Sequence, residues 1–322
     1  MASNLLEREK TRARQPGEAR RRGTIDPDVY LDRTKQVRDF LAFLNECHGQ
    51  GAVATMTLAD LSMVDVEGYN QDIATKGYSA SQVSKRMQVV RRIVNHAGRQ
   101  EHGRQLLSWN WESRQVHHGR EPKEKRLPTV EQLKKLLAAA DARGRVMIWI
   151  GLGLGFGQSD IAALRLANID KDSYDMRRGK TGINRWGRTP PMVWGAIREY
   201  LKGTSRPKDE LLFVTRDSRP VVHAKADSVL LWWNRLRQSI GETRHTLEGF
   251  YILRHLGATV HGAREGCSLA DLRSWLGHGA SSAMADVYMK PLKPEYKEVV
   301  AWVGQALESG RANLRVRNTP SR

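Results

Sequence analysis

Residues 251–290 read "YILRHLGATVHGAREGCSLADLRSWLGHGASSAMADVYMK". Apolar residues at helical spacing and glycine stops divide this stretch into helical segments over 249–263, 268–276 and 281–290. Among the side chains within it able to do chemistry are the guanidinium of Arg254, the imidazoles of His255 and His278, and the phenol of Tyr288. Tyr288 sits in the polar string "MADVYMK", where a core role would be out of place, and Tyr296 is a second tyrosine close by.

Outward from this stretch, the composition selects a partner before it selects a fold. Lys and Arg number 53 against 35 Asp and Glu, a formal charge of +18 spread along all 322 residues. Such a balance points to a polyanion. Cys47 and Cys267 stand far apart and outside any paired spacing, so neither a disulfide framework nor a cysteine metal site is expected. His117 and His118 lack carboxylate or thiol companions at ligand spacing, and no metal is expected. The first residues lack the apolar core of a signal peptide, and the apolar run near 146–156 is too short and glycine-rich to span a bilayer. The expectation is a protein of the reducing cytoplasm with no membrane partner.

The length suggests two domains. Residues 1–27, with Arg8, Lys10, Arg12, Arg14, Arg20, Arg21 and Arg22, read as a basic flexible arm or a solvated tail. Residues 28–116 read as a helical domain: Val37, Phe40, Leu41 and Leu44 mark one helix, 58–75 a second, and a capping box of Ser79 with Gln82 opens a third. The face of that third helix opposite its core carries Lys85, Arg86, Arg92, His96 and Arg99, a stripe suited to a phosphate backbone. "HHGREPKEKRLP" at 117–128 breaks the periodicity, and Thr129 with Gln132 starts a second domain over 129–307, followed by a basic tail over 308–322. In that domain "SYDMRRGKTGINRWGRTPPM" at 173–192 reads as a hairpin with Lys180 at its tip, and "ELLFVT" at 210–215 as a short strand. The fold class is mainly α with a small β element.

Two glycine motifs fail on spacing. "GLGLGFG" at 151–157 lacks the register of a dinucleotide fingerprint, and "GKT" at 179–181 has Tyr174 where a P-loop needs glycine.

The ordered string Arg254-His255, Leu276-Gly277-His278 and Tyr288 resembles the C-terminal pattern of the tyrosine recombinases, the phage integrase family. There H-x-x-R-H is followed by a helix, L-G-H and a tyrosine about ten residues on. The resemblance covers nearly all of residues 28–305. It implies a core-binding (SAM-like) domain joined to a tyrosine-recombinase catalytic domain, together a C-shaped clamp on double-stranded DNA. It implies breaking and rejoining of DNA through a 3′-phosphotyrosyl intermediate at Tyr288, with no cofactor. By the same resemblance Arg254 grips the phosphate, as a planar guanidinium matches two non-bridging oxygens. His278 assists there, Lys180 protonates the departing 5′-oxygen, and His255 packs behind Arg254. It further implies a homo- or hetero-tetramer on DNA and a nucleoid-associated location.

Two positions depart from the pattern. The family's first arginine aligns with Gly157 in "LGFGQSDIAAL", and the first histidine of H-x-x-R aligns with Tyr251. Neither Arg145 nor Arg165 is well spaced to replace the first arginine. Arg165 lies eight residues on, about 80° around a helix. Two functions remain open: an integrase or site-specific recombinase that is impaired or partner-dependent, and a catalytically inactive DNA-binding relative with an accessory or regulatory role.

Overall fold

A computed structural model describes residues 2–13, 24–57, 59–100, 126–179, 182–223, 226–279 and 283–314. The chain divides into two units, 1–124 and 125–322.

In the first unit α1 (Ala2–Arg12) replaces the expected flexible arm over its first residues. Leu5 is buried in the unit's core, and the carboxylate of Glu9 holds Arg33 at 2.7 Å and Arg92 at 3.2 Å. One leucine and one acid anchor this helix, too few to register as periodicity among so many basic residues. Asp26 caps α2 (Pro27–His48), whose Val37, Phe40 and Leu44 are buried at the expected spacing. After the short α3 (Ala52–Thr55), α4 (Met63–Thr75) starts five residues later than predicted, because Ser62 and Asp65 cap one another reciprocally. Then α5 (Ala80–Gln100) buries Val83, Met87, Val89, Val90 and Ile93.

The second unit opens with α6 (Val130–Ala139), which carries the predicted Thr129–Gln132 capping box. It continues with α7 (Ala142–Gly153) and α8 (Gln158–Ala163). Strands β1 (Ser173–Arg177) and β2 (Asn184–Arg188) pair antiparallel, with Tyr174 opposite Gly187 and Met176 opposite Arg185. Next come α9 (Pro191–Leu201), the two-residue strands β3 (Val222–His223) and β4 (Ala226–Asp227), and α10 (Ser228–Ser239). The unit closes with α11 (Ile252–Gly262), α12 (Leu269–Leu276), 3-10 turns at Ala283–Met289 and Pro294–Tyr296, and α13 (Lys297–Ser309). The expected strand at 210–215 is not one: Leu211 and Val214 make isolated bridges only. The guanidinium of Arg206 takes the carbonyls of Leu211 and Leu212, which a strand partner would otherwise use.

Helix α7 is buried on every side from Val146 to Gly153 and packs against α9 and α11. This explains why its sequence shows no amphipathic face. The glycines that follow serve close packing. Gly155 takes a left-handed φ of 61° with the Trp275 ring against it, and Gly257 of α11 meets the backbone of Leu152, so that a methyl group there would overlap the Leu152 carbonyl oxygen. Gly257→Ala should push α7 and α11 apart and cost about 1–3 kcal/mol, read as a lower midpoint in thermal unfolding. An unchanged midpoint would mean the crossing is looser than described.

Candidate functional site

The described candidates for the chemistry itself all lie in the second unit. Burial of the apolar face of α11 carries Arg254 inward, where it is 1% exposed. Its Nη1 donates to the carbonyl of Gly155 and its Nη2 to the carbonyl of Leu276 at 2.7 Å. The second acceptor is available because Gly277, left-handed at φ 62°, ends α12 and turns the chain. The same turn sets His278 Nε2 3.3 Å from Arg254 Nη2. One guanidinium thus ties the glycine-rich turn to the Leu-Gly-His turn.

Tyr288 rides on the 3-10 turn packed against α11 and α12, its backbone carbonyl close to Gly262. Its hydroxyl is hydrogen-bonded to Nδ1 of His255. His255 therefore does not merely pack behind Arg254; it touches the phenol itself, because one step along α11 from the inward Arg254 points sideways to the 3-10 turn. Burial, with a smaller contribution from Tyr251, pushes the Tyr288 phenol up to about 12, and Arg254 opposes the rise. At neutral pH Tyr288 is a hydrogen-bonded phenol.

The two departed positions touch each other. The Tyr251 ring lies over Gly157, and a Cβ at 157 would stand 3.2 Å from it. Gly157 is the N-cap of α8 with a φ of −86°, so the backbone there tolerates any residue and the ring sets the limit.

What sequence reasoning missed is Asp160 with two further arginines. Asp160, 5% exposed, accepts from the Gly157 N–H at 3.1 Å and stands 3.4 Å from Arg178, 3.4 Å from Arg185 and 3.6 Å from Arg254. Arg185 is 1% exposed and saturated: it donates to the carbonyls of Trp275 and Leu154 and lies 4.4 Å over the Phe156 ring. Desolvation pulls its guanidinium down to about 10. The signal for both was strand alternation, which sets Arg178 on the face of Tyr174 and Met176, the face that Arg185 shares as the cross-strand partner of Met176. Arg145 and Arg165 donate instead to the carbonyls of Leu137 and Asp209.

Lys180 and the linker residues His117 and His118 lie outside the described residues. On α5, Lys85 is exposed and Arg92 is half-exposed beside Glu9. Arg86 is not part of an exposed stripe: it is 8% exposed, ion-paired with Asp39 and stacked 4.1 Å over Tyr78. Its position falls on the widened core face of the helix, beside Met87 and Val90. The side chains of His96 and Arg99 are outside the description. Among the described residues no cluster of three His, Cys, Asp or Glu is placed to hold a metal, and no helix is long and apolar enough to cross a membrane.

No protein-family model matches the sequence, and no curated protein matches it. Solved structures do. The Tn1549 transposon integrase (residues 82–397) in complex with circular intermediate DNA superposes with a TM-score of 0.64 at 16% identity, over 93% of this chain and 98% of that one. A lambda integrase (75–356) dimer bound to a COC′ core site gives 0.59 at 18%, over 89% and 95%. A lambda integrase tetramer bound to a Holliday junction gives 0.58 at 14%, over 88% and 77%. At these identities the likeness is one of fold, and the fold is the one that the string from Arg254 to Tyr288 implied.

Proposed function

We propose that the chain is a DNA strand transferase of the tyrosine recombinase type. The carrying observation is the Tyr288 hydroxyl held on His255 Nδ1 beside the buried Arg254 and His278. In this reading Tyr288 Oη attacks a backbone phosphorus and its proton passes to His255. The bond from phosphorus to the 5′-oxygen breaks, and a 3′-phosphotyrosyl bond forms. The departing 5′-oxygen takes a proton, the role the resemblance gives to Lys180. A 5′-hydroxyl of a partner strand later attacks the phosphotyrosine and returns Tyr288. The bond energy is stored throughout, so no cofactor is required. Arg254 and His278 face the charge that builds on the non-bridging oxygens.

Double-stranded DNA is the proposed partner, supported by the charge of +18 and by the DNA named with the neighbouring structures. Lys85 and Arg92 are the proposed backbone contacts of the first unit, and a tetramer, with itself or with a second recombinase, is the proposed assembly. A cytoplasmic, nucleoid-associated location follows from the same reading. The second reading, an accessory DNA-binding protein without activity, is favoured by one observation, the lack of a side chain at Gly157.

The test is covalent capture. The protein is incubated with a library of nicked duplexes, denatured in detergent, and the attached DNA is sequenced. The strand-transfer reading expects an adduct enriched for one core sequence, with its phosphodiester mapped to Tyr288. Tight, sequence-enriched binding without an adduct establishes the accessory reading instead.

A further inference from the structure

We infer that Arg178 supplies the guanidinium that Gly157 lacks, gripping the scissile phosphate opposite Arg254. This rests on the strand-transfer reading above. Arg178 follows the last residue of β1 and turns inward, 8% exposed. Its Nη1 donates to the carbonyls of Gly277 and Leu276 at 3.4 and 3.5 Å. Arg254 Nη2 donates to the same Leu276 oxygen. The two guanidinium groups therefore converge on the turn that presents His278, where an oxyanion would meet donors from both.

Satisfaction separates Arg178 from its neighbour Arg185. Arg185 makes short bonds to two carbonyls and a stack on Phe156, and moving it would forfeit all of them. The bonds of Arg178 are at the long limit, and its buried Nε makes no hydrogen bond although Asp160 Oδ1 is 3.4 Å away. Such a group exchanges weak contacts for a phosphate oxygen at little loss. It is also anchored where a residue at 157 would be: a Cβ at 157 would stand 3.9 Å from Asp160 Oδ2, the carboxylate against which Arg178 lies.

Charge gives the same assignment. Among the described residues Asp160 is the one carboxylate paired with Arg178, Arg185 and Arg254, leaving a buried excess of cation. Burying unmatched charge is costly, and a phosphodiester would offset it. Arg185 acts as a positioning residue that fixes Asp160 and the Trp275 turn, while Arg178 meets the substrate.

The experiment uses the full chain and the core sequence recovered by covalent capture. With a normal phosphate, Arg178→Ala is expected to slow adduct formation by about 10²–10³, and Arg178→Lys to recover only part. With a methylphosphonate at the scissile position one oxygen and its charge are gone, so the ratio of unaltered protein to Arg178→Ala should fall toward one. A variant that merely folds badly would stay slow on both. A 5′-bridging phosphorothiolate, whose sulfur leaves without a proton, should not rescue it, which separates a phosphate grip from leaving-group protonation. An adduct that forms at the normal rate in Arg178→Ala, or a defect that methylphosphonate leaves unchanged, overturns the assignment alone. No adduct from the unaltered protein overturns the strand-transfer reading and this assignment with it.

Discussion

His255→Ala should slow formation of the covalent DNA adduct by about 10²–10⁴ near neutral pH, the range that a positioned acid or base contributes. The phenol of Tyr288 is pushed up to about 12 by burial, so almost none of it is ionised at pH 7, and attack requires the proton to leave as the new bond forms. His255 Nδ1 is hydrogen-bonded to that hydroxyl and accepts the proton when the imidazole is neutral. The sign of the pH dependence follows. In the unaltered protein the imidazole takes the proton directly, so the rate does not track hydroxide while the phenol is still neutral. In His255→Ala hydroxide must remove the proton, and the rate should keep rising tenfold per pH unit toward the phenol's pKa. Adduct yield in rapid-quench time courses between pH 6 and 10 checks this. A uniform drop with an unchanged profile would make His255 a packing residue, as the sequence pattern alone suggested.

That contrast marks what the chain reveals before it folds. Arg254, His278 and Tyr288 were legible because short local strings place them: a helix, a glycine stop and a turn. The capping boxes at Thr129 and Ser62 work the same way, through contacts three residues apart, although the second uses Asp65 in place of the usual Glu or Gln and so leaves a weaker mark in the sequence. The contact of His255 with Tyr288 was not legible, since the two lie 33 residues apart, and which side of α11 meets the 3-10 turn depends on packing. Asp160 with Arg178 and Arg185 joins a helix start to a hairpin through contacts up to 25 residues apart, and no local string encodes that. Alternation along β1 would have marked Arg178 as inward. A charged residue among inward positions is easily dismissed as an edge effect, and here it is one of three guanidinium groups around Asp160. On α5 the error ran the other way: Arg86 was assigned outward by its charge, whereas Asp39 and Tyr78 give it an inward place.

Asp160→Asn should destabilise the second unit by about 3–5 kcal/mol, the range for leaving buried charge without its partner. The substitution is nearly isosteric and keeps an oxygen for the Gly157 N–H, so the loss is chiefly one of charge. Three guanidinium groups, two of them 1% exposed, then face one another without a counter-charge. Arg185 cannot turn outward without abandoning the carbonyls of Trp275 and Leu154, nor Arg254 those of Gly155 and Leu276. Because the turns at 155 and 276 are held by those same bonds, the strain falls on the site before it reaches the core. An anion of phosphate geometry should restore part of the loss, since it supplies the missing charge to guanidinium groups already gathered there. Denaturant unfolding with and without sulfate, at fixed ionic strength set by chloride, measures both effects. A small loss, or equal protection by chloride, would show that water reaches the arginines and that their cluster is not built for an oxyanion. A large loss that sulfate selectively reverses would tie the stability of the unit to the group it is proposed to grip.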